Sequence, residues 1–347
     1  MKTDNLPKAL ILGCASTELD KSERSFFRDA NPLGFILFQR NCDSPEQVNK
    51  LVADLRNSIG REDAPVLIDQ EGGRVQRLKP PHWRDAPPAI RFAELARESE
   101  KLALTAIHLN ARLLAHELSE LGITVDCAPV LDVPQPGADP VIGDRALGSE
   151  PESISILGRA YCEGLLAGAV LPVIKHIPGH GRANVDSHKS LPVVLSGHDE
   201  LSVTDFAPFA ALADMPWAMT AHVLYRELDE GQPATLSRDI IQGIVRGELG
   251  YNGLLVSDDL SMQALSGTLA ERALAAIEAG CDVALHCNGR MVEMQEIAEV
   301  CPSTSQAALE KVRQAEDMRK KKFIPLEEDF DTSVRRLEGL LSGDASS

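Results

Sequence analysis

Positive charge is in short supply along this chain, where 35 Lys and Arg face 52 Asp and Glu for a formal net charge of −17. Nucleic acids and anionic membrane surfaces reward clustered Lys and Arg, so neither is expected as a partner. No C-x-x-C pair occurs among the seven cysteines, Cys14, Cys42, Cys127, Cys162, Cys281, Cys287 and Cys301, and most sit inside apolar runs. An odd count at scattered spacings fits free thiols in a reducing compartment, where cysteine behaves as a small hydrophobe. No apolar run has the length of a membrane span. Ile11-Leu12-Gly13-Cys14, preceded by Lys2 and Lys8, has the outline of a lipoprotein cleavage site. The apolar stretch Ala9–Gly13 is shorter than the roughly 7–15 residues of a signal core, however, so a soluble, cytoplasmic protein is expected. No linker rich in Pro, Gly or Ser and no internal repeat divides the chain. The composition, 44% hydrophobic and 25% charged, is ordinary for a globular protein large enough to do without disulfides. Residues 1–341 are therefore expected to form a single domain, with a polar, disordered tail over 342–347.

What is present is a series of short apolar runs: Ala9–Cys14, Gly34–Phe38, Pro65–Ile68, Thr124–Leu131, Val170–Ile174, Trp217–Thr220, Gly253–Val256 and Val283–Leu285. They lack polar alternation, as parallel strands covered on both faces do. Helical periodicity fills the intervals, most clearly over Ala93–Leu121, with Leu95, Leu102, Ile107, Leu113, Leu114 and Leu118 on one side. Ser237–Leu249 opens on a serine N-cap and stops before Gly250, and Ser305–Arg319 and Thr332–Leu341 follow the last run. Eight strands alternating with helices predict an α/β fold of TIM type, a (β/α)8 barrel, over the doubly wound alternative.

Nearly every apolar run leads into ionisable or polar groups: Gln39-Arg40-Asn41, Asp69-Gln70-Glu71, Asp132, Lys175-His176, His222, Asp258-Asp259 and His286. Barrel enzymes build their active sites at the C-terminal ends of the strands, so this placement predicts an enzyme. His176 and His180 have a zinc-like helical spacing, but Pro178 and Gly179 between them would break the helix, and no cysteine pair is near. No metal site is expected. The glycine-rich stretch also lacks the Lys-Ser/Thr ending of a phosphate loop.

Asp186-x-His188 joins a carboxylate to an imidazole, which can fix the tautomer and let the ring give and take a proton near neutral pH. An incidental surface pair is the plainer reading of these two residues alone. Asp258 and Asp259 adjoin, and alternation along a strand should turn only one of them to the reaction centre. A carboxylate there could attack an anomeric carbon or simply cap the following segment. Asp69, Arg74 and Arg77 could bond sugar hydroxyls or form a salt-bridged loop. Lys175 could be a Schiff-base amine, although the carboxylates around it favour a protonated one.

Taken in order, GFILFQRN (34–41), LIDQEGGRVQRL (67–78), PVIGDRALG (140–148), KHIPGHG (175–181), DSH (186–188) and SDDLSM (257–262) resemble family 3 glycoside hydrolases, in their bacterial β-N-acetylglucosaminidase branch. The resemblance implies Asp258 as nucleophile, His188 as acid/base oriented by Asp186, and Asp69, Arg77, Arg145, Lys175 and His176 around the sugar. It also implies a retaining exo-enzyme of peptidoglycan recycling that acts on 1,6-anhydromuramoyl peptides with neither metal nor organic cofactor. Many relatives carry C-terminal domains that help complete the site, whereas this chain is similar to the compact type. A histidine acid suits the chemistry, since its ordinary pKa of about 6.5 needs little tuning. The open alternatives are a β-glucosidase or β-xylosidase of the same family, a phosphorylase, an inactive barrel that binds wall fragments, and, remotely, an aldolase.

Overall fold

A computed structural model describes residues 6–343. Eight parallel strands close into a barrel: β1 (Lys8–Leu12), β2 (Pro32–Leu37), β3 (Val66–Ile68), β4 (Val125–Asp126), β5 (Leu171–Ile177), β6 (Trp217–Thr220), β7 (Leu254–Asp259) and β8 (Val283–His286). Each strand pairs with its sequence neighbours, and β1 meets β8 through Leu10↔Ala284, Ile11↔Leu285 and Leu12↔His286. This is the expected (β/α)8 architecture.

The period-2 geometry of a strand divides every apolar run into two sets. Ile11, Ile36, Leu67, Val125, Val173, Met219, Val256 and Leu285 turn inward and fill the barrel. Leu10, Leu12, Phe35, Leu37, Val66, Ile68 and Ile174 turn outward into the larger core beneath the helices. Both sets are buried, which is why the runs carry no polar alternation. The helix Gln306–Lys322 adds Ala308 and Ala315 to the inner set, and Pro302 accepts the Ala9 amide, so this segment covers the end where the strands begin. The opposite end, where the strands finish, is left for loops.

Helix boundaries follow local capping. Asp20 and Glu23 form a capping box on Lys21–Ala30, and Ser44 caps Pro45–Ile59, which ends at Gly60 in the left-handed region (φ 64°). The periodic stretch expected as one helix over 93–121 is instead two, Ile90–Glu98 and Glu100–Glu120. Ser99 divides them: it is extended (φ −156°, ψ 103°), and its hydroxyl accepts the Leu102 amide. A serine offers the backbone this alternative to a continuous helix. The serine-capped segment expected at 237–249 is present as Asp239–Glu248, wound as a π-helix, with the Ser237 hydroxyl accepting the Ile240 amide at 3.1 Å.

The fourth strand is much shorter than the expected 124–131. Pro129 has no amide to give to a ladder, and regular pairing stops at Asp126, although Val130 still bridges Lys175. Asp132 therefore lies on a loop and not at a strand end. Conversely, Lys175, His176, Asp258 and Asp259 lie within β5 and β7. Two short pairs, Val193–Val194 and Leu224–Tyr225, form an additional parallel ladder. At the C-terminus, Ser342 ends the helix Phe330–Ser342 and Gly343 caps it, so these two residues belong to the helix end and not to a tail; 344–347 lie outside the described residues, as does Lys2. Among the described residues no helix is long and apolar enough to cross a membrane, and all seven cysteines are free.

Candidate active site

Five ionised side chains alternate in sign across the mouth of the barrel. Asp69, just past β3, accepts from Arg77 Nη2 at 2.9 Å and from Lys175 Nζ at 2.9 Å. Lys175 also reaches Glu71 at 2.7 Å, and Arg145 grips the two Glu71 oxygens at 2.8 and 2.9 Å. The order Arg77–Asp69–Lys175–Glu71–Arg145 therefore gives each charge an opposite partner, with one positive charge in excess. Burial raises the Asp69 carboxyl, but Lys175 and Arg77 outweigh it and hold the group far below the usual carboxylate range. Burial opposes ionisation of Glu71 too, yet Arg145 and Lys175 bring it down to about 2. For Lys175, desolvation is overcome by Asp69 and Glu71, and the amine is held above its ordinary value. A firmly protonated amine is no Schiff-base nucleophile. Gln70 shapes the loop around this chain by accepting the amides of Arg77 and Leu78 and donating to the Leu78 carbonyl.

A second carboxylate, Asp132, organises the neighbouring wall. Its Oδ2 lies 2.7 Å from Nδ1 of His176, and its Oδ1 accepts the amides of His176 (3.2 Å) and His180 (2.6 Å). With Nδ1 engaged, His176 has its Nε2 left for whatever occupies the cavity. His180 is buried, and desolvation together with His176 brings its pKa down to about 4, so this ring is neutral.

Asp258 stands at the inner end of the cavity. Burial would raise its pKa, but His222, His176 and the Asp259 amide outweigh burial and lower it. Among the described residues no cationic side chain is bonded to it; its Oδ1 accepts only the Asp259 amide, at 2.8 Å. At the rim the His188 side chain is 68% exposed, with Nδ1 2.9 Å from Asp186 Oδ1, while Asp186 also accepts the His188 amide. All eight residues singled out in the sequence, Asp69, Arg77, Arg145, Lys175, His176, Asp186, His188 and Asp258, line one cavity of about 320 Å³. An ionised, unpaired carboxylate thus shares a small enclosure with a carboxylate-backed imidazole.

Other expectations need correction. Asp258 and Asp259 both border the cavity, against the alternation argument. Asp259 is nonetheless engaged: it accepts from Ser261 Oγ at 2.6 Å, from the Ser261 amide and from the Cys287 amide. Arg40 and Asn41 bind backbone carbonyls of Cys14, Cys287 and Ser16, and so brace neighbouring loops. Arg74 pairs with Asp144 at 2.6 Å and not with Asp69. His222 lies behind the cavity wall, bonded to Thr235 and to the Asp259 carbonyl, and His286 is wholly buried. A larger hollow of about 860 Å³, lined by Leu104, His108, Ile156 and Ile324 among others, lies between outer helices and contains none of these groups.

Residues 8–317 match the glycosyl hydrolase family 3 N terminal domain. The chain belongs to glycosyl hydrolase family 3. A β-hexosaminidase of Alkalilimnicola ehrlichii is 41% identical over 283 residues, covering 80% of each chain. One from Pseudomonas aeruginosa PAO1 is 39% identical over 285 residues, covering 81% of this chain and 83% of its own. The crystal structure of NagZ from Neisseria gonorrhoeae in complex with N-trifluoroacetyl-D-glucosamine superimposes with a TM-score of 0.86 at 30% identity, covering 97% of this chain and 98% of that one. This family 3 protein is accordingly a glycoside hydrolase.

Several groups that shape the family 3 site were not singled out in the sequence. Glu71 is two residues after Asp69, and in extended chain that spacing puts both on one side, a usable signal. Asp132 shows in the sequence only as the polar group after the fourth apolar run; its role does not, because its partner His176 is 44 residues away. Asp126 was hidden inside an apolar run; burial pushes its carboxyl up to about 8.

Proposed function

We propose that this hydrolase is a retaining exo-β-N-acetylglucosaminidase. Asp258 attacks the anomeric carbon while His188 gives its proton to the departing glycosidic oxygen, which breaks the bond and leaves a glycosyl ester on Asp258. Water then attacks the same carbon, His188 takes a proton from it, and the Asp258 carboxylate departs with its electron pair. Asp186 holds Nδ1 of His188 and stabilises the imidazolium present before the first step and regained in the second. Asp69, Arg77, Arg145, Lys175 and His176 bind the sugar. The observation that carries this reading is the ionised Asp258 carboxylate, free of any bonded cation, in the same cavity as the Asp186–His188 pair.

A cavity of about 320 Å³ is at the small end of the roughly 300–1,000 Å³ typical of ligand sites, which suits one terminal sugar better than an internal stretch of polymer. The acetamido sugar is taken from the β-hexosaminidases at 39–41% identity and from the NagZ structure with its N-trifluoroacetylated glucosamine. The substrate we assign is a cytoplasmic peptidoglycan fragment, N-acetylglucosaminyl-1,6-anhydromuramoyl peptide, without metal or organic cofactor. The test is hydrolysis of p-nitrophenyl N-acetyl-β-glucosaminide against the β-glucoside, with and without phosphate, followed by the muropeptide itself. Free N-acetylglucosamine as product with either buffer is the expected result. Preference for the glucoside, or release of a sugar 1-phosphate, overturns the assignment.

A further inference from the structure

Ser187 lies between the two residues of the Asp186–His188 pair, and its surroundings differ from theirs. The His188 side chain is largely exposed, whereas Ser187 is only 4% exposed. Its Oγ is 3.1 Å from Nε2 of His180, and its carbonyl oxygen accepts the Ala264 amide at 3.2 Å. Both partners belong to segments that border the proposed reaction centre. His180 is held through its backbone by the Asp132 carboxylate that also holds His176. Ala264 is in the loop leaving β7, the strand that carries Asp258. One buried residue therefore fastens the His188 loop to the wall formed after β5 and to the segment following Asp258.

The chemistry of the His180 contact gives it a direction. His180 Nδ1 is buried with no partner among the described residues. A proton there would be a buried donor with nothing to receive it, a costlier state than an unpaired ring acceptor. The neutral ring therefore carries its proton on Nε2 and donates to Ser187 Oγ. We infer that Ser187 is a positioning residue, whose hydroxyl, held by His180, sets where the His188 imidazole stands relative to the Asp258 carboxylate. This rests on the roles proposed above for His188 and Asp258.

A contact that only stabilised the fold would affect every substrate equally, whereas one that aims a general acid matters most where the leaving group needs its proton. The experiment compares wild type, Ser187→Ala, Ser187→Thr, His188→Ala and the Ser187→Ala/His188→Ala double variant on dinitrophenyl, p-nitrophenyl and phenyl N-acetyl-β-glucosaminides. General acid catalysis is worth about 10²–10⁴-fold, and misaiming the acid should forfeit about 10- to 100-fold of kcat/KM, which reports the glycosylation step, on the phenyl glycoside. On the dinitrophenyl glycoside, whose departure needs no acid, kcat/KM should change by less than about threefold. Ser187→Thr, which keeps the hydroxyl, should recover most of the loss, and the double variant should be no slower than His188→Ala alone. Should Ser187→Ala not yield folded protein, Ser187→Cys, with a much weaker acceptor of similar size, carries the same comparison. Equal losses on all three glycosides, or losses that multiply in the double variant, overturn the inference. If His188→Ala itself shows no dependence on the leaving group, the proposed dyad fails and takes the inference with it. A normal His188→Ala pattern with an unaffected Ser187→Ala overturns the inference alone.

Discussion

Replacing Glu71 by Gln removes the one carboxylate that compensates both Arg145 and Lys175. The change keeps the side chain's volume but turns a −1 charge, in contact with two cations at 2.7–2.9 Å, into a neutral amide. Around that position three cations, Arg77, Lys175 and Arg145, would then share only Asp69. Breaking a buried pair by removing one partner costs about 3–5 kcal/mol; Glu71 (6% exposed) is buried and the Arg145 side chain (11%) nearly so. For a chain of this size that corresponds to a fall in Tm of roughly 4–7 °C at neutral pH. The pH dependence gives the sharper check. Glu71 ionises at about 2 in the folded protein against an ordinary 4.5. A carboxylate with a depressed folded pKa stabilises the fold fully above the unfolded value, and this contribution is lost as pH falls toward the folded one. It amounts to on the order of 3 kcal/mol, of which roughly 2 should be gone by pH 3. Thermal melts of wild type and Glu71→Gln from pH 7 to pH 3 should therefore converge below about pH 4.5. A Tm difference that stays constant down to pH 3, or is negligible at pH 7, would refute the charge chain as the support of this wall.

The two adjacent aspartates should separate cleanly: Asp258→Asn should abolish turnover of both activated and unactivated glycosides. Asp259→Asn, altered at a side chain already bonded to Ser261 and Cys287, should retain substantial activity, and the reverse ranking would place the nucleophile at Asp259. His188→Ala should lose about 10²–10⁴-fold in kcat/KM on a poor leaving group and far less on an activated aryl glycoside; equal losses of kcat/KM count against its acid role. Asp126 has its pKa raised from an ordinary 3.8 to about 8, so the folded state holds a proton that the unfolded state releases, and stability drains away as pH rises between those values. Asp126→Asn should avoid that loss, so its Tm relative to wild type should climb across this window; a flat or falling difference would show Asp126 to be ionised.

The barrel was legible because its signals are local. Strands buried on both faces must be short and uniformly apolar, and Ile11, Ile36, Val173 and Val256 could be inner residues in any register without altering that pattern. The same local reading fails where a single residue interrupts a period. Ser99 breaks a helix that side-chain periodicity carries straight through, and Pro129 shortens a strand that apolar content extends to Leu131. At the site, the eight residues assigned by the resemblance converge on one cavity, at the end of the barrel where the strands finish, whereas Arg40, Asn41, His222 and His286 do not line it. What convergence could not reveal is which polar groups are engaged with one another. Arg74, Arg77 and Asp69 are neighbours in sequence, yet only Arg77 pairs with Asp69; Arg74 is drawn to Asp144, and Asp69 also takes Lys175, 106 residues away. Likewise, Asp258 and Asp259 are chemically identical as letters. They differ because the chain folds Ser261 and the Cys287 amide onto one and leaves the other open to the cavity. A carboxylate already saturated with donors is a poor nucleophile, so the distinction that matters for the chemistry is set by contacts to residues both near and distant in sequence. The fold class is therefore written in the periodicity of the chain, whereas the physical difference between Asp258 and Asp259 is written in the folded contacts.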